Sequence, residues 1–275
     1  MTALPTLSIV IVSYEARADL VRCLESLRAH PPACDTEIVV VDNGSSDDSV
    51  AAVRAGFPDV RVIESRENLG FARATNRGIR ATTGTGILLL NSDTIVASGA
   101  LDGLRRALEA DAAAAAAGPR LVDAEGRAEL SFGAMIGPVA EARQKLLVRG
   151  HARGWPVIAA SVERRTRRGG YVDWVSGACL LVRRVDAEAV GLLDERFFLY
   201  TEDVDFCAAL RSRGRRILFV PAVTVTHLRG RSAATAPRTT AAQYRRSHLA
   251  FYAKHHPFWA PWLRLYLRLR GQMPR

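Results

Sequence analysis

Residues Leu7–Ser49 read LSIVIVSYEARADLVRCLESLRAHPPACDTEIVVVDNGSSDDS. This stretch indicates the fold class. Its first apolar run is short and β-branched, as is typical of a fully buried strand. Apolar residues then recur at helical spacing until Pro31 and Pro32, which end a helix. A second apolar run follows and ends on the polar residues DNGSSD. Strand, helix and strand in this order predict a βαβ unit of a parallel sheet.

The same alternation continues through VRVIES, GFARATNRGIRAT and GILLLNSDT, which predict a strand, a helix and a strand. Three of the predicted strands end on polar residues, namely SYE, DNGSSD and NSD. Ligands of open parallel sheets bind at the carboxyl ends of the strands. We therefore expect these three polar ends to converge, although they are about 40 residues apart in the chain.

The second half of the chain is less regular. ALDGLRRALEADAAAAAAG predicts a helix followed by an alanine run with a structural role, partly as a strand. Residues 133–170 contain ERRTRRGG and predict a mobile loop. A helix is expected from about Asp203 to Arg213, closed by Gly214. RILFVPAVTVTHLRGRS then predicts a strand, a turn and a second strand.

Charge is distributed unevenly along the 275 residues. The first 205 residues carry 24 basic and 28 acidic side chains, whereas the last 70 carry 14 basic and no acidic ones. Such a tail suits nucleic acid, an anionic membrane or a phosphorylated substrate, or it serves only solubility. With 48% hydrophobic residues, the chain can form one large domain or two small ones.

Several protein classes lack their signatures here. The sequence contains no GxGxxG before a helix, no GxxxxGK[ST], no GxSxG and no HExxH. The four cysteines are scattered without a CxxC pair, which disfavours a zinc site or a disulfide framework and favours a reducing cytoplasm. No apolar run reaches the roughly 18 residues of a membrane span.

The polar strand ends and one acidic cluster offer chemistry. Asp42 can accept hydrogen bonds from a base or ribose, or it can simply form a turn before a helix. Asn91 and Asp93 in NSD offer oxygen ligands for Mg²⁺ or Mn²⁺, or a turn. His227 can complete a metal site or be structural. The acids in FFLYTEDVDF are either helix-start charges or contain a general base.

Taken in chain order, the motifs resemble those of bacterial glycosyltransferase family 2, closest to its rhamnosyltransferase-like members. The resemblance rests on SIVIVSYEARADLVRCLESL, EIVVVDNGSSDDS, ENLGFARATNRGI, LLLNSDT, VDWVSGACLLVRR, GLLDERFFLYTEDVDFCAALRSRG and VTHLRGRS. These motifs span about residues 7–232. Together they are specific for the family, but they do not identify the sugar that is transferred.

The resemblance implies an α/β fold of GT-A type: a Rossmann-like, mostly parallel sheet flanked by helices. It implies a catalytic domain over residues 1–232, with a nucleotide-binding half to about 95 and an acceptor half from 96, and a basic helical extension over 233–275. It also implies a nucleotide-diphosphate-sugar donor, a divalent Mg²⁺ or Mn²⁺ ion and inversion at the anomeric carbon. The best donor is dTDP-rhamnose, with a UDP- or GDP-sugar as the alternative.

Individual roles follow from the positions that match family motifs. Asp42 matches the nucleotide-holding aspartate, Asp93 the last acid of the DxD motif, Asp203 the general base, and His227 a histidine near the metal. The donor side further includes Ser13, Tyr14, Glu15, Asn43, Gly44, Asn68, Gly70, Arg73, Asn76, Asn91 and Ser92. The sugar and acceptor side includes Trp174, Gly177 and Glu202. Arg229 and Ser232 are expected to bind phosphate. Two residues depart from the pattern: Asn91 replaces the first acid of DxD, and Thr201 stands where a larger residue is usual.

The resemblance and the tail together define the expected partners. The acceptor is a glycan or a lipid-linked sugar of envelope polysaccharide synthesis, and no nucleic acid is expected. Phe258, Trp259 and Trp262 lie among arginines and suit peripheral contact with an anionic membrane from the cytoplasm. The alternative is that the tail packs on the catalytic domain or in a homodimer. A nucleotidyltransferase and a basic nucleic-acid-binding protein are the rivals of other classes.

Overall fold

A nine-stranded sheet with helices on both faces organises this computed structural model, which describes residues 7–228 and 237–274. The strands are β1 (Leu7–Ser13), β2 (Thr36–Asp42), β3 (Arg61–Glu64), β4 (Gly86–Asn91), β5 (Thr94–Val96), β6 (Ala114–Val122), β7 (Phe132–Gly133), β8 (Gly170–Val172), β9 (Trp174–Val175), β10 (Cys179–Arg183) and β11 (Arg216–His227). The helices are α1 (Arg17–Ala29), α2 (Ser49–Gly56), α3 (Phe71–Arg80), α4 (Ala100–Ala110), α5 (Pro138–Ala152), α6 (Pro156–Thr166), α7 (Arg184–Ala189), α8 (Glu202–Ser212), α9 (Pro237–His255) and α10 (Ala260–Leu269).

The strand order is β3-β2-β1-β4-β10-β6-β11-β5, and β8 pairs with β11. The first four strands are parallel, β10 runs antiparallel between β4 and β6, and β6 and β11 are parallel. In register, Ser13 lies beside Asp42, and Val12 lies beside Asn91. The three polar strand ends therefore meet at one edge, as predicted, and the α/β fold is confirmed.

Both faces of the sheet are buried. Ile9 and Ile11 pack with α1 and α4 on one face, and Val10 packs with α3 on the other. The approach of α3 is close, because a Cβ at Gly78 would lie 2.4 Å from the Val10 side chain. Burial on both faces explains why β1 is apolar at almost every position.

The alanine run is the central strand β6. Ala114 to Ala117 are fully buried between β10 and β11. At the end of the run, a Cβ on Gly118 would lie 2.6 Å from Val175. Small residues are required here because a neighbouring element packs directly against this strand.

Two expectations for the second half of the chain are wrong. Residues 133–170 are largely helical, since α5 and α6 occupy most of this range and each begins at a proline, a residue that suits the first helical turn. The predicted strand, turn and strand near Pro221 form the single strand β11, whose register against β6 shifts between Arg216 and Ile217 and again between Val220 and Thr224. Proline removes one backbone donor there without ending the strand.

Residues 237–274 are largely helical, and part of this segment packs on residues near the start of α8. Phe251, Tyr252 and Ala260 form a buried cluster with Phe197 and Val204. The alternating leucines of α10 thus lie on a helix and not on a strand. Of the helices in the described ranges, none has the length and hydrophobicity needed to cross a membrane.

Candidate active site

The carboxyl end of β2 carries a buried carboxylate with one free oxygen. Asp42 is 4% exposed, and its Oδ2 accepts hydrogen bonds from the backbone N–H groups of Gly44 (3.3 Å) and Ser45 (3.1 Å). Its Oδ1 has no hydrogen-bond partner among the described residues. A buried acceptor without a partner costs roughly 1–3 kcal/mol, so a ligand donor at this oxygen would be favourable.

Asn43 holds the loop before α3 in place. Its Nδ2 donates to Asn68 Oδ1 (2.9 Å), and its Oδ1 accepts from Leu69 N–H (2.8 Å). Gly70 follows with φ +81°, and a Cβ there would lie 2.5 Å from the Phe198 carbonyl oxygen. Only glycine combines this backbone conformation with so close an approach. Asn43, Asn68 and Gly70 therefore build the wall of the site.

The carboxyl end of β1 lies beside the same turn. Glu15 has φ +49°, and its Oε1 accepts hydrogen bonds from the Ser46 amide (2.9 Å) and hydroxyl (3.0 Å). Ser13 is fully buried, and its Oγ has no partner in the described part of the chain. Tyr14 is 38% exposed and is free to contact a ligand. Glu15 thus shapes the turn, Tyr14 is accessible to a ligand, and Ser13 Oγ is buried without a partner among the described residues.

Two predicted donor-binding residues have internal partners. Asn76 is buried, and its side-chain amide bonds both the amide and carbonyl of Leu193 (3.0 and 2.8 Å) and Glu195 Oε1 (3.0 Å). Arg73 forms an exposed ion pair with Glu195 (3.3 Å). Asn76 fixes α3 to the segment before α8, so a donor contact by its amide would break these bonds.

Asp93 and His227 meet where β4 and β11 end. Asp93 Oδ1 lies 3.2 Å from His227 Nε2, and the Asn91 amide nitrogen lies 3.5 Å from the same ring atom. Ser92, which lies between Asn91 and Asp93 in the chain, is buried. Glu129 Oε2 lies 3.3 Å from the other ring nitrogen, Nδ1. The structure thus brings together residues separated by more than 90 positions in the sequence.

The charges around His227 favour a positive charge at its ring, either as a proton or as a metal ion in place of the Nε2 proton. Burial disfavours the imidazolium, but hydrogen bonds to Asp93 and Glu129 and their negative charges outweigh burial and raise the pKa of His227 to about 9. A carboxylate on the second ring nitrogen is a common partner of a metal-binding histidine, because it fixes the ring orientation. Glu129 was missed in the sequence, where no spacing or motif marks it.

These residues fit a divalent ion with open coordination positions. No group of three or more His, Cys, Asp or Glu side chains suited to a metal occurs in residues 7–228 and 237–274. The 3.2 Å between Asp93 Oδ1 and His227 Nε2 is close to the roughly 3 Å between neighbouring ligands of an octahedral ion with 2.1 Å bonds. Carboxylate oxygen and imidazole nitrogen suit Mn²⁺, and the remaining positions would be left for phosphate oxygens and water.

Asp203 is the accessible member of the acidic cluster. Its side chain is half-buried, whereas Glu202 and Asp205 are buried. Asp203 Oδ2 accepts a hydrogen bond from the Gly177 amide (2.9 Å), and its Oδ1 accepts one from the Val204 amide (2.8 Å). Burial raises the pKa of Asp203, although the two amide bonds oppose this. An oriented carboxylate with a raised pKa has the properties of a general base.

Glu202 differs from Asp203 in its surroundings. Burial, together with the charge of Asp203, raises the pKa of Glu202 well above its ordinary value. Its Oε2 has no hydrogen-bond partner among the described residues. Burial and the neighbouring charge thus disfavour ionisation of Glu202, whereas backbone amides of Gly177 and Val204 stabilise the Asp203 carboxylate.

The backbone before Asp203 is strained. Tyr200 and Thr201 both adopt left-handed conformations, with φ +68° and +66°. Such residues cost about 1–3 kcal/mol each and persist where the surrounding structure fixes them. Here Asp205 donates its amide hydrogen to the Thr201 carbonyl (2.9 Å), and this bond begins α8. The strain places Asp203 in the first turn of a helix that faces the site.

Asp205 has a structural partner in the C-terminal extension. The carboxylate is 2% exposed and accepts hydrogen bonds from Lys254 Nζ (2.9 Å) and His255 Nε2 (2.6 Å). Lys254 also bonds Asp194 (2.8 Å). No sequence motif marks these ion pairs, which attach α9 to the helix that carries Asp203.

Hydrogen bonds through Gly177 and Ala178 connect Asp203 to the end of β4 at Asn91. Gly177 bonds Asp203, and the neighbouring Ala178 carbonyl accepts from the Asn91 amide (2.9 Å). Gly177 is in close contact with Asp203, since a Cβ there would lie 3.3 Å from the Asp203 Cβ.

Three further predicted site residues remain. Trp174 is half-buried and donates its indole N–H to the Ala134 carbonyl (2.9 Å). Arg229 and Ser232 lie outside the described residues.

Comparisons with known proteins identify the family to which the chain belongs. The model of "Glycosyltransferase like family 2" matches residues 5–250. The chain is 30% identical over 264 residues to N-acetylglucosaminyl-diphospho-decaprenol L-rhamnosyltransferase of Mycobacterium tuberculosis, covering 92% of this chain and 86% of that protein.

Two solved structures share the fold. The mannosyltransferase PcManGT from Pyrobaculum calidifontis, in complex with GDP-Man and Mn²⁺, has a TM-score of 0.64 at 20% identity, covering 95% of this chain and 69% of that one. GalNAc-T7 with UDP, GalNAc and Mn²⁺ has a TM-score of 0.62 at 18% identity, covering 90% of this chain and 48% of that one. Since the family model matches most of the chain, the protein belongs to the family 2 glycosyltransferases and has their GT-A fold.

Proposed function

We propose that this protein transfers L-rhamnose from dTDP-L-rhamnose, with inversion, to a lipid-linked N-acetylglucosamine during synthesis of a cell-envelope polysaccharide. The donor and acceptor are suggested by the mycobacterial relative, whose match covers 92% of this chain. Residues 1–95 would provide most of the donor site, and residues 96–232 the acceptor site.

Asp42 would hold the nucleotide. Its unpartnered Oδ1 can accept a hydrogen bond from the base or ribose. Ser13 and Tyr14 lie at the adjoining strand end, where Tyr14 is exposed and would contact the same ligand. Asn43 and Gly70 would act by keeping the wall of the site in its observed shape.

Asp93 and His227 would hold a Mg²⁺ or Mn²⁺ ion, with Asn91 beside them. When bound, this ion would neutralise negative charge on the departing diphosphate. Glu129 would orient the His227 ring through Nδ1. The amide of Asn91 in place of an acid leaves the protein ligands with a smaller negative charge than a DxD motif supplies.

Asp203 would act as the general base. It takes the proton of an acceptor hydroxyl as that oxygen bonds to the anomeric carbon. The bond from this carbon to the diphosphate breaks, and its electrons leave with dTDP. Attack comes from the face opposite the leaving group, which gives inversion and requires no enzyme nucleophile. Gly177 keeps the Asp203 carboxylate in position throughout.

The half-buried, amide-oriented carboxylate of Asp203 is the observation that carries the proposal. The test is to incubate the protein with dTDP-L-rhamnose, Mn²⁺ and a short-chain N-acetylglucosaminyl-diphospho-lipid, and to identify the products. We expect dTDP and a rhamnosylated lipid. Activity only with a UDP- or GDP-sugar would refute the donor assignment, and release of pyrophosphate would indicate a nucleotidyltransferase.

The C-terminal extension would also bring the site to a membrane. Phe258, Trp259 and Trp262 are 88%, 52% and 65% exposed, next to Arg264 and Arg268. Exposed aromatic and basic side chains suit a headgroup layer. We expect co-sedimentation with anionic vesicles that weakens at high salt. Protein that stays in the supernatant at low salt would refute this contact.

A further inference from the structure

A cavity separate from the residues of the candidate active site includes Tyr200 of the loop before α8 in its lining. Its volume is about 570 Å³, and it lies between α5, α9, α10 and the loop before α8. Lys145, Arg149, Tyr200, Tyr244 and Arg270 are among the residues that line it. None of these residues takes part in the donor site described above.

The cavity is strongly basic. Lys145, Arg149, Arg245 and Arg270 line it, and no Asp or Glu of the described residues does so. In the described part of the chain, only Lys145 of these four forms an ion pair, which is with Glu141. Three guanidinium groups thus remain available to an anion, and guanidinium pairs bidentately with phosphate oxygens.

The carboxylate of Glu141 is bonded by two residues that line the cavity, His248 and Lys145. Glu141 accepts hydrogen bonds from His248 (2.9 Å) and Tyr252 (2.8 Å) and pairs with Lys145. Burial alone would raise the pKa of Glu141, but these partners lower it to about 2. Glu141 is therefore ionised, and its charge is balanced by groups other than the three arginines.

Tyr200 lines the cavity and belongs to the loop that precedes Asp203, the proposed general base. Its ring packs edge to face on Tyr244, with centroids 5.8 Å apart, and it precedes Asp203 by three residues. On another side the cavity is apolar, formed by Leu263 and Leu267 of α10. The cavity thus runs from the loop of the base to a helix with exposed apolar side chains.

We propose that this cavity binds the diphosphate of a lipid-linked acceptor, with Arg149, Arg245 and Arg270 as its ligands. The sugar then lies toward Asp203, and the lipid chain follows the apolar face of α10. This inference rests on the proposed function in taking the acceptor to be a lipid diphosphate. It adds a residue-level acceptor subsite, separate from the donor phosphate site.

The test compares two acceptors in the full-length protein with donor and Mn²⁺. One is farnesyl-diphospho-N-acetylglucosamine, and the other is farnesyl N-acetylglucosaminide, which lacks phosphate. Each of Arg149→Gln, Arg245→Gln and Arg270→Gln should lower kcat/KM for the diphosphate acceptor roughly 10-fold, the value of a charge-assisted hydrogen bond. The kcat/KM for the phosphate-free acceptor and the KM for the donor should stay unchanged. Arg106→Gln, on the exposed surface of α4, controls for the loss of one charge.

Equal losses with both acceptors, or none with either, would overturn the proposal. Calorimetry of farnesyl-diphospho-N-acetylglucosamine binding without donor tests the cavity independently of the proposed rhamnosyl transfer. If no donor supports turnover, weaker binding in the arginine variants alone still supports the cavity, and unchanged binding refutes it. If the arginine variants instead lose only binding to anionic vesicles without acceptor, the cavity is a phospholipid site and the proposal is wrong.

Discussion

Asp205→Asn tests whether α9 supports the helix that carries the general base. The wild-type carboxylate is 2% exposed and bonds both Lys254 and His255. Asparagine has nearly the same size, but it removes the negative charge and places an amide among donors. We expect the folded state to lose stability and α9 to detach more often.

The contacts set the magnitude. Breaking a fully buried ion pair costs about 3–5 kcal/mol, whereas an exposed pair is worth about 0–1 kcal/mol. Lys254 is 31% exposed and keeps Asp194 as a partner, and His255 is 25% exposed and can reach water. We therefore expect a loss of about 2 kcal/mol, between these limits. With an unfolding entropy of about 2.1 cal/mol/K per residue, this lowers Tm by roughly 3–4 °C.

Thermal unfolding followed by circular dichroism measures the change, and limited proteolysis reports detachment of α9. Glu64→Gln is the matched control, because it also removes one acid, from a pair with Arg54 whose side chains are 51% and 61% exposed. The control should melt within about 1 °C of the wild type. If the Asp205→Asn protein has the same Tm as the control and is equally resistant to protease, α9 does not support α8 through Asp205.

Three other predictions concern the site. Asp203→Asn should slow the chemical step roughly 10²–10⁴-fold without changing donor affinity. Burial raises the pKa of Asp203, so the kcat/KM of the wild type should rise with pH at values above the usual titration range of an aspartate. The variant should lack this rise of kcat/KM with pH. Asp93→Ala, or chelation of the wild type with EDTA, should abolish turnover while the circular dichroism spectrum stays unchanged, with a milder loss for His227→Ala; full activity in EDTA would refute metal dependence. Gly70→Ala should lower both stability and donor affinity, measured by thermal unfolding and calorimetry, because its Cβ would meet the Phe198 carbonyl at 2.5 Å; wild-type values would contradict this.

The first half of the fold is predictable because its signals are local. Leu20, Cys23, Leu24 and Leu27 recur at helical spacing and are all buried, as the pattern requires. The apolar runs of β1, β2 and β4 mark strands that are covered on both faces, and their polar ends mark the site. Asp42, Asp93 and Asp203 were named from motifs, and their positions in the structure are compatible with those roles.

The parts that sequence could not predict depend on contacts between distant residues. Glu129 lies within an unpatterned stretch and meets His227 across 98 positions. Lys254 is one of many basic residues in the tail, and only the fold selects it to bond Asp205. Helices α5 and α6 are largely exposed and lack a clear apolar stripe, so their sequences resembled a loop.

The left-handed pair Tyr200 and Thr201 has a consequence for laboratory evolution of this enzyme. Glycine adopts such a conformation without steric cost, so selection for heat resistance alone should favour glycine at position 201. Selection for catalysis should resist it, since a more flexible residue there would loosen the turn that aims Asp203. Stability and turnover would thus be selected in opposite directions at one position next to the base.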